Sequence, residues 1–461
     1  MINTQNHNTV DIFDKKIAVL GLGLSGLGAA KLANHLGARV MVSDSNPNKK
    51  TSKDALLLMQ SHHIAIETGI HSPEIYKADL WIVSPGIPKD SPIVQIAQEK
   101  KIPIISEIEF ASWYTSSKII AITGSNGKTT TAHILYQMLK NEKTKTVLAG
   151  NLGVSFSSCV LNELINPQKL VYVLEVSSFQ LEFVKNFCPS IALFTNITED
   201  HIDRHHTMEE YIKMKINLIK NFNEENILIY NEDDKILNKI FKNKNLNKNT
   251  FSISSKNTTY QINQNTIWSN FEKEKIANKK HIALKGDHNL SNLLAASTCA
   301  SLLGIKNTKI KKTIESFSGV QHRLEFVAKI NNVEYVNDSK ATNINSVIVA
   351  INAYKKPIVL ILGGYNKGAD FNQLLPHINY NKIKTLIAYG EAREQIIAAL
   401  GDAVRSIKKI GLNSAVQEAH SIAKPGDVVL LSPGCASFDQ FANFESRGDF
   451  FKSIIEKIKI T

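Results

Sequence analysis

The sequence predicts an α/β fold of three domains, each built on a largely parallel sheet. Short β-branched runs recur along the chain, and many are followed by small or polar residues and then by a helical pattern. Glycine-rich turns follow two of these runs, after Leu20 and Thr123, and such turns bind ligands where parallel strands end. A chain of 461 residues has room for several cores. We expect domains over residues 1–116, 117–319 and 320–461.

Composition and hydropathy predict a globular protein of the cytoplasm. Hydrophobic residues make up 43% of the chain and charged residues 21%, whereas a disordered chain has fewer apolar residues. No apolar run is long enough to span a bilayer, and the polar segment 1–16 has no apolar core of a secretory signal. The cysteines have no paired spacing, so we expect reduced, mostly buried thiols and neither a disulfide frame nor a zinc site. They are Cys159, Cys188, Cys299 and Cys435.

The net charge of +12 would suit a protein that binds nucleic acid, a membrane surface or small anions. Much of the excess lies in Lys239–Lys280, where lysines alternate with asparagines and serines. This stretch lacks the arginines and the interleaved aromatic residues of a nucleic-acid-binding surface. We therefore expect a solvated surface there and no nucleic-acid partner.

The first domain begins with a Rossmann-like βαβ pattern. A strand over 16–20 enters the turn Gly21-Leu22-Gly23-Leu24-Ser25-Gly26, and a second strand over 39–43 ends at Asp44. Alone, this predicts a dinucleotide site, although any nucleotide can use such a turn. A later strand over 80–83 precedes residues 84–88, which either line the same crevice or form a plain turn.

The central domain carries a P-loop ATPase-like motif. A strand ending at Thr123 is followed by Gly124-Ser125-Asn126-Gly127-Lys128-Thr129 and an amphipathic helix. Lys128 would reach the terminal phosphates of a nucleotide, and the Thr129 hydroxyl would ligate Mg²⁺. The usual first glycine of such a loop is replaced by Ile122, so Gly124 makes a shorter loop.

Acidic and imidazole side chains follow two further strands of the central domain. Glu175 ends the strand over 170–174, where a carboxylate suits Mg²⁺. His201 lies in an acidic cluster after the strand over 191–196, and we interpret it as part of a second metal site. Lys215, on a helix predicted over 208–221, has the simpler interpretation of a solvent-facing lysine. Asn289 and Asn292 share one helix face, where they either contact a nucleoside or cap the helix.

The third domain repeats the pattern of polar loops after buried strands. Strands over 333–336, 357–362 and 428–431 each end in such a loop. The loops bring Lys340, Thr342, Lys367 and Ser437 to the edge of a sheet, where they are suited to bind carboxylates.

Together, a nucleotide-type crevice, a Mg–ATP site and a cationic crevice predict an enzyme that joins two small anions at the expense of ATP. A NAD-dependent oxidoreductase is the alternative suggested by Gly21–Gly26 alone. A binding or scaffold protein with a decayed ATP site is a third possibility, but the central motifs are intact.

The chain resembles the Mur ligases of peptidoglycan synthesis from Gly21 to Gly448. The short loop over 123–129 has the form found in Mur and folylpolyglutamate ligases, and Glu175, His201, His288-Asn289 and Arg323 match family-wide motifs. Residues 337–343 and 431–441 match the members that add D-glutamate; those that add other amino acids would show different motifs.

The resemblance implies that ATP converts UDP-N-acetylmuramoyl-L-alanine to an acyl phosphate, which D-glutamate then attacks. It also implies that the enzyme uses two Mg²⁺ ions and is a monomer. ATP is expected at Gly124, Ser125, Asn126, Gly127, Lys128, Thr129, Thr130, Asn289, Arg323 and Asp338. The UDP substrate is expected at Gly23, Leu24, Ser25, Asp44, Gly86, Ile87, Asn151, Ser177 and Gln180. D-Glutamate is expected at Lys340, Thr342, Lys367, Ser437, Phe438 and Phe444.

The same resemblance assigns the metal ligands and the catalytic residues. Thr129 and Glu175 are expected to hold one Mg²⁺, and His201 and a carbamylated Lys215 the other. Lys128, Glu175, His201 and Lys215 are the expected catalytic residues.

Overall fold

Three sheets carry the fold. The structure is a computed structural model that describes residues 10–46, 64–140, 145–284, 286–366, 368–378 and 382–460. The chain divides into two compact units, Met1–Phe317 and Ser318–Thr461. The described part of the first unit carries a five-stranded and a nine-stranded sheet, and that of the second a six-stranded sheet. This confirms the predicted α/β architecture.

The first sheet is parallel throughout its described pairs, in the order β3-β2-β1-β4-β5. Its strands are β1 (Lys16–Leu20), β2 (Arg39–Asp44), β3 (Ala65–Thr68), β4 (Leu80–Val83) and β5 (Ile104–Ser106). The helices that follow β1, β4 and β5 are α1 (Leu24–His35), α2 (Pro92–Glu99) and α3 (Glu107–Ser112). The strand order changes direction at β1, which opens a crevice at the carboxyl ends of β1 and β4.

The central sheet has the order β14-β13-β12-β11-β10-β9-β6-β8-β7. Its first strands are β6 (Lys118–Thr123), β7 (Lys145–Gly150), β8 (Leu170–Glu175), β9 (Ile191–Phe194) and β10 (Ile227–Asn231). They are followed by β11 (Asn247–Ser252), β12 (Tyr260–Asn263), β13 (Thr266–Ser269) and β14 (Glu274–Asn278). Its helices include α4 (Lys128–Leu139), α5 (Phe156–Ile165), α6 (Ile202–His205), α7 (Met208–Ile216), α8 (Lys235–Phe241), α9 (Asp287–Leu302) and α10 (Asn307–Ser316). Strand β6 lies between β8 and β9, so the loop after it sits at the middle of the parallel part of the sheet.

The lysine- and asparagine-rich stretch 239–280, expected to be a solvated surface, forms part of the central sheet. It contributes β11 to β14, and the last two pairings, β12–β13 and β13–β14, are antiparallel. Each strand buries one large apolar side chain, from Phe251, Tyr260, Ile267 and Ile276 in turn. The polar residues Ser252, Gln261 and Ser269 are buried beside them. These widely spaced residues let a polar sequence supply an inward face.

The sheet of the second unit has the order β15-β16-β20-β17-β18-β19. The strands are β15 (Glu325–Ile330), β16 (Val333–Asn337), β17 (Ile358–Gly363), β18 (Ile383–Tyr389), β19 (Ser406–Lys409) and β20 (Val428–Gly434). The helices include α11 (Ile344–Asn352), α12 (Arg393–Leu400), α13 (Leu412–Ile422) and α14 (Phe444–Ile460). Only β15 runs antiparallel to its neighbour among the described pairs, so the loops after β16, β17 and β20 meet at one edge.

Two further features bear on the sequence predictions. None of the helices in the described ranges is long and apolar enough to cross a membrane. All four cysteines are free; Cys299 and Cys435 are buried, whereas Cys159 and Cys188 are half-buried, so the expectation of mostly buried thiols holds for two of them.

Candidate active site

The loop after β6 is braced by the loop that follows the neighbouring strand β9. The Ser125 N–H donates to the Asn196 carbonyl and the Asn126 N–H donates to the Asn196 side-chain oxygen, both at 2.9 Å. The Ser125 hydroxyl donates to the Thr198 carbonyl at 2.9 Å. The amides at the start of α4 are the ones a helix leaves without intrahelical acceptors. The start of α4, more than the first half of the loop, therefore has N–H groups left to bind an anion, as the sequence predicts.

Helix α9 packs directly against this loop. Gly127 caps α4 with φ of 83°, and a Cβ there would lie 2.2 Å from the Asn292 side-chain oxygen. The same oxygen accepts a hydrogen bond from the Thr131 hydroxyl at 3.3 Å. The Asn292 amide donates to the Asn289 side-chain oxygen at 3.4 Å. The structure thus brings Asn289, predicted to contact ATP, beside the loop over 124–129, which we call the phosphate loop.

Glu175 joins the phosphate loop to the loop after β7. The Thr129 hydroxyl donates to one of its carboxylate oxygens at 2.6 Å, and the Asn151 amide donates to the other at 2.9 Å. The carboxylate is buried. A carboxylate and a hydroxyl at this spacing form an oxygen-rich pair of the kind that Mg²⁺ prefers.

Lys215 is buried at 2% exposure, so its interpretation as a solvent-facing lysine is wrong. Its Nζ donates to the Gly124 carbonyl at 2.8 Å and lies 4.6 Å from the centroid of the Tyr211 ring. Burial, with a smaller contribution from the Lys128 charge, lowers the pKa of Lys215 well below its ordinary value. Tyr211 in turn shares a 2.9 Å hydrogen bond with the Ser125 hydroxyl, which ties helix α7 to the loop.

His201 lies in the left-handed region, with φ of 54°, immediately before α6. Its Nε2 lies 3.4 Å from an Asp200 carboxylate oxygen, and its ring centroid lies 4.8 Å from that of Phe179. Among the described residues, no group of three His, Cys, Asp or Glu side chains is arranged to hold a metal ion. The predicted second metal site at His201 therefore stays a prediction.

Sequence reasoning missed a buried histidine behind this region. The His205 ring is stacked on Phe179 at 5.4 Å between centroids, and its Nε2 shares a 2.9 Å hydrogen bond with the Ser178 hydroxyl. Burial lowers the pKa of His205 to about 4, so the ring is neutral at physiological pH. It is a packing and orienting group for the loop over 177–182.

Arg204 is a second residue that the sequence did not single out. Its guanidinium donates to both carboxylate oxygens of Glu182, at 2.8 and 3.2 Å, and to the carbonyl of Ile87 at 3.0 Å. It also lies 5.0 Å from the Phe179 ring centroid. Burial raises the pKa of Glu182 despite the neighbouring guanidinium. Arg204 thus connects the 84–88 loop of the first sheet to the His201 segment of the central domain.

The other residues predicted for the UDP substrate lie at two strand ends. Gly23, Leu24 and Ser25 form the turn and the first residues of α1. The Asp44 carboxylate accepts the N–H of Leu22 at 2.7 Å and is buried against that turn. Near the end of β8, the Gln180 side-chain oxygen accepts the N–H of Ser177 at 3.0 Å.

In the second unit, Asp338 follows β16 and is buried. One carboxylate oxygen accepts the Leu324 N–H at 3.1 Å and the other accepts the Ser432 hydroxyl at 2.8 Å. Burial raises the pKa of Asp338 to about 7, although the hydrogen bonds from Ser432 and Leu324 and the charge of Arg323 act to lower it.

The predicted D-glutamate residues collect on loops at one edge of this sheet. Lys340 and Thr342 follow β16, and Ser437 and Phe438 follow β20. Ser437 is buried, whereas Phe438 is 60% exposed. Phe444 begins helix α14. Lys367 lies outside the described residues.

Comparison with known proteins gives matches along nearly the whole chain. Family models match residues 15–106 as a Mur ligase MurD-like N-terminal domain, 122–300 as a Mur ligase middle domain and 322–435 as a Mur ligase, glutamate ligase domain. A protein of Christiangramia forsetii called UDP-N-acetylmuramoylalanine–D-glutamate ligase is 41% identical over 96% of this chain and 100% of its own length. Proteins of the same name from Thermoanaerobacter pseudethanolicus (98% of this chain) and Bacteroides thetaiotaomicron (96%) are each 40% identical over 100% of their own length.

Solved structures share the fold at much lower identity. The UDP-N-acetylmuramate–alanine ligase of Thermotoga maritima is 17% identical, with a TM-score of 0.56 over 96% of this chain and 100% of its own. The MurF ligase of the same organism, solved with ADP, is 17% identical, with a TM-score of 0.52 over 98% of this chain and 97% of its own.

Proposed function

This chain belongs to the Mur ligase family, and we propose that it joins D-glutamate to UDP-N-acetylmuramoyl-L-alanine at the expense of ATP. The observation that carries the choice of amino acid is the 41% identity, over the full length of the relative, to a ligase of that name. The reaction belongs to the synthesis of peptidoglycan precursors. We propose that the reaction takes place in the cytoplasm and that the enzyme is a monomer. We also propose three domains, with boundaries after residues 116 and 319.

The reaction begins with transfer of the γ-phosphoryl group of ATP to the alanine carboxylate. A carboxylate oxygen attacks phosphorus, ADP leaves, and an acyl phosphate forms. The amine of D-glutamate then attacks the acyl carbon and loses a proton, and the tetrahedral intermediate expels phosphate to leave an amide. The N-terminus of α4 and Lys128 provide positive charge where the transferred phosphoryl oxygens would lie.

The residues around Glu175 fit a Mg²⁺ ion, because their donor atoms are oxygens and the ion is hard. Thr129 and Glu175, now joined by a 2.6 Å hydrogen bond, would hold it. The ion would offset the negative charge of the phosphate oxygens. Asn151 would keep the Glu175 carboxylate oriented through its own 2.9 Å hydrogen bond.

Lys215 fits a second ion only after chemical modification, since an ammonium group cannot ligate a metal. Its lowered pKa favours the neutral amine, which can add to carbon dioxide. The nitrogen forms a bond to carbon and releases one proton, which leaves a carbamate anion. This carbamate and His201 would hold the second Mg²⁺.

The UDP substrate is proposed to lie along the carboxyl ends of the first sheet and then of β8. Gly23, Leu24, Ser25 and Asp44 would contact the nucleoside, and Gly86 and Ile87 the diphosphate. Asn151, Ser177 and Gln180 would line the path of the sugar toward the reaction centre. In the second unit, the loops after β16 and β20 would bind the carboxylates of D-glutamate.

A NAD-dependent oxidoreductase is the alternative from another class. It would need an acidic residue at the end of β2 that presents its carboxylate to a ribose. The Asp44 carboxylate accepts backbone N–H groups of Leu22 and Asn46, at 2.7 and 3.0 Å, an arrangement compatible with either class. The 41% identity to a relative named as a ligase favours the ligase.

The test is phosphate release with Mg–ATP and UDP-N-acetylmuramoyl-L-alanine, comparing D-glutamate with L-glutamate, L-lysine and diaminopimelate. Release with D-glutamate alone is the expected result. Release with another amino acid would reassign the protein to a sibling ligase. Absence of release with all four would overturn the proposal.

A further inference from the structure

A fully buried arginine stands behind the loops proposed to bind D-glutamate. Arg447 lies on α14, one turn after Phe444, and its side chain has no solvent exposure. Its Nε donates to the Ser339 hydroxyl at 2.9 Å and its Nη2 to the Ser339 carbonyl at 2.8 Å. Its Nη1 donates to the carbonyls of Cys435 and Ala436, at 3.0 and 3.1 Å.

These acceptors belong to two separate strand ends. Ser339 immediately precedes Lys340 in the loop after β16, and Ala436 immediately precedes Ser437 in the loop after β20. Ala436 also exchanges two backbone hydrogen bonds with Tyr365, at 2.9 and 3.0 Å, so the loop after β17 is joined to the same point. One guanidinium therefore sets the relative positions of three loops.

Among the residues that the structure describes, no counterion contacts the charge of Arg447. All four of its hydrogen-bond acceptors are neutral, and within the described part of the chain no carboxylate lies within ion-pair distance of it. A buried charge without a counterion is costly, and a neutral residue would fill the same space at lower cost. The electric field of such a charge is weakly screened, because the surroundings have a low dielectric constant.

We propose that Arg447 is a positioning residue that makes the second unit select an acidic amino acid. Its guanidinium group holds the loops after β16 and β20 at a fixed separation, and its charge stabilises a carboxylate bound in front of them. This inference rests on the proposed function, because it concerns how the D-glutamate of that reaction is chosen. Part of the enzyme's preference for an acidic over a neutral amino acid would then come from Arg447, which does not touch the substrate.

The test uses Arg447→Lys and Arg447→Met in the full-length protein. We expect kcat/KM for D-glutamate to fall about tenfold in R447K and about 100-fold in R447M, with KM for ATP and for the UDP substrate within about twofold. The decisive readout is the ratio of kcat/KM for D-glutamate over D-glutamine. Loss of the charge in R447M should shrink this ratio about tenfold, whereas loss of structure alone would lower both values equally.

The matched control is Lys452→Met, which removes a positive charge from the same helix. Lys452 is half-buried and pairs with Glu325 at 3.4 Å and with Asp449 at 2.9 Å. Among the described residues no hydrogen bond joins it to the loops after β16 and β20, so the ratio should be unchanged. Melting temperatures identify any variant that fails to fold. If neither Arg447 variant folds, Ser339→Ala is the test instead, because it removes one of the four hydrogen-bond acceptors of Arg447. It should raise KM for D-glutamate about threefold and leave KM for ATP unchanged.

Two outcomes would overturn the inference separately from the proposed function. A folded R447M that keeps the wild-type ratio would remove the role of Arg447 and leave the ligase assignment intact. The same holds for a folded S339A with unchanged kinetics if neither Arg447 variant folds. A wild-type protein that prefers a neutral amino acid would overturn both.

Discussion

The side chains of Lys128 and Lys215 share one acceptor, since the Nζ of each donates to the Gly124 carbonyl oxygen at 2.8 Å. Two ammonium groups on one oxygen repel each other, and Lys215 is the more deeply buried. Its lowered pKa follows first from burial and then from Lys128. The phosphate loop therefore favours the neutral, nucleophilic form of the Lys215 amine before any ligand arrives.

Replacing Lys215 should separate stability from activity. A lysine with a folded pKa below its unfolded value destabilises the fold at every pH below the unfolded pKa, and each unit of lowering amounts to about 1.4 kcal/mol. Lys215→Met should raise the melting temperature by about 2–4 °C at pH 7 in buffer free of carbon dioxide and Mg²⁺. Phosphate release should fall by about 100-fold or more.

The control for Lys215 is Lys213→Met on the same helix. Lys213 is exposed and pairs with Glu210 at 3.3 Å. It should change the melting temperature and the rate little. An unchanged rate in K215M would contradict the proposed metal-binding carbamate, and a lower melting temperature would contradict the unfavourable burial of the amine.

The phosphate loop should reject even one added methyl group. Gly127→Ala places a Cβ 2.2 Å from the Asn292 oxygen at φ of 83°, so the loop or α9 must move. We expect phosphate release to fall by about 100-fold. Gly304→Ala is the matched control, because φ there is 78° and nothing lies within 4 Å of the added atom. It should cost about 1 kcal/mol of stability and no activity. Equal losses in the two variants would show that strain, and not the contact with Asn292, is responsible.

Glu175→Gln tests the first metal position. The amide keeps the shape of the side chain but removes the charge, and one of the hydrogen bonds from Thr129 and Asn151 is lost. We expect a loss of about 1 kcal/mol in stability, a rate lowered about 100-fold and a Mg²⁺ requirement shifted to higher concentration. Titration of phosphate release with Mg²⁺ measures this. Glu209→Gln, at the exposed start of α7, should match the wild type; a Mg²⁺ dependence unchanged in E175Q would remove Glu175 from the metal site.

The sequence predicted those parts whose signals are local. The strands over 16–20, 39–43 and 80–83 and the loop from Gly124 to Thr129 are encoded by adjacent residues, because a strand, a tight turn and a helix start each have short signatures. The helix predicted over 208–221 ends as α-helix at Ile216 and continues as a 3-10 turn over Asn217–Ile219, since local pattern fixes helix ends poorly.

The parts that were missed depend on contacts between distant residues. Arg204 meets Ile87, 117 positions away, and nothing around Arg204 in the sequence indicates that partner. Arg447 meets Ser339, 108 positions away. A signal did exist for Arg447, because its spacing from Phe444 and Phe451 puts it on the buried face of α14. The burial of Lys215 was not predicted, because the matched motif predicted only its role as a metal ligand.

Arg204 should affect binding of the sugar nucleotide more than binding of ATP. Its hydrogen bond to the Ile87 carbonyl and its paired bonds to Glu182 hold the 84–88 loop against the His201 segment. A lysine at position 204 cannot make these paired hydrogen bonds. In Arg204→Lys, KM for the UDP substrate should therefore rise about tenfold, while KM for ATP stays within about twofold. Lys89→Met removes a cation that immediately follows this loop and pairs with Glu210 in a partly exposed ion pair, and it should change neither constant much. Equal rises in both constants for R204K would point to a general disturbance of the site instead.

Glu107 should make the first unit less stable as pH rises through neutrality. The side chain is buried on α3; one oxygen accepts the Ser157 N–H, and among the described residues the other has no hydrogen-bond partner. Burial raises its pKa to about 7. Between the unfolded value and about 7 the folded protein binds more protons than the unfolded chain, so stability falls as pH rises across that window.

Glu107→Gln removes this titration, because the amide stays neutral. Relative to the wild type, its free energy of unfolding should increase by about 1–3 kcal/mol between pH 5 and pH 8, as measured by urea unfolding at both values. Glu99→Gln, at the exposed end of α2, should show no such change. Phosphate release should be retained, since Glu107 lies outside the proposed site. If the difference in free energy of unfolding between E107Q and the wild type stays constant with pH, the carboxyl is already ionised at pH 5. The start of helix α5 at Ser157 would then stabilise the charge more than burial disfavours it.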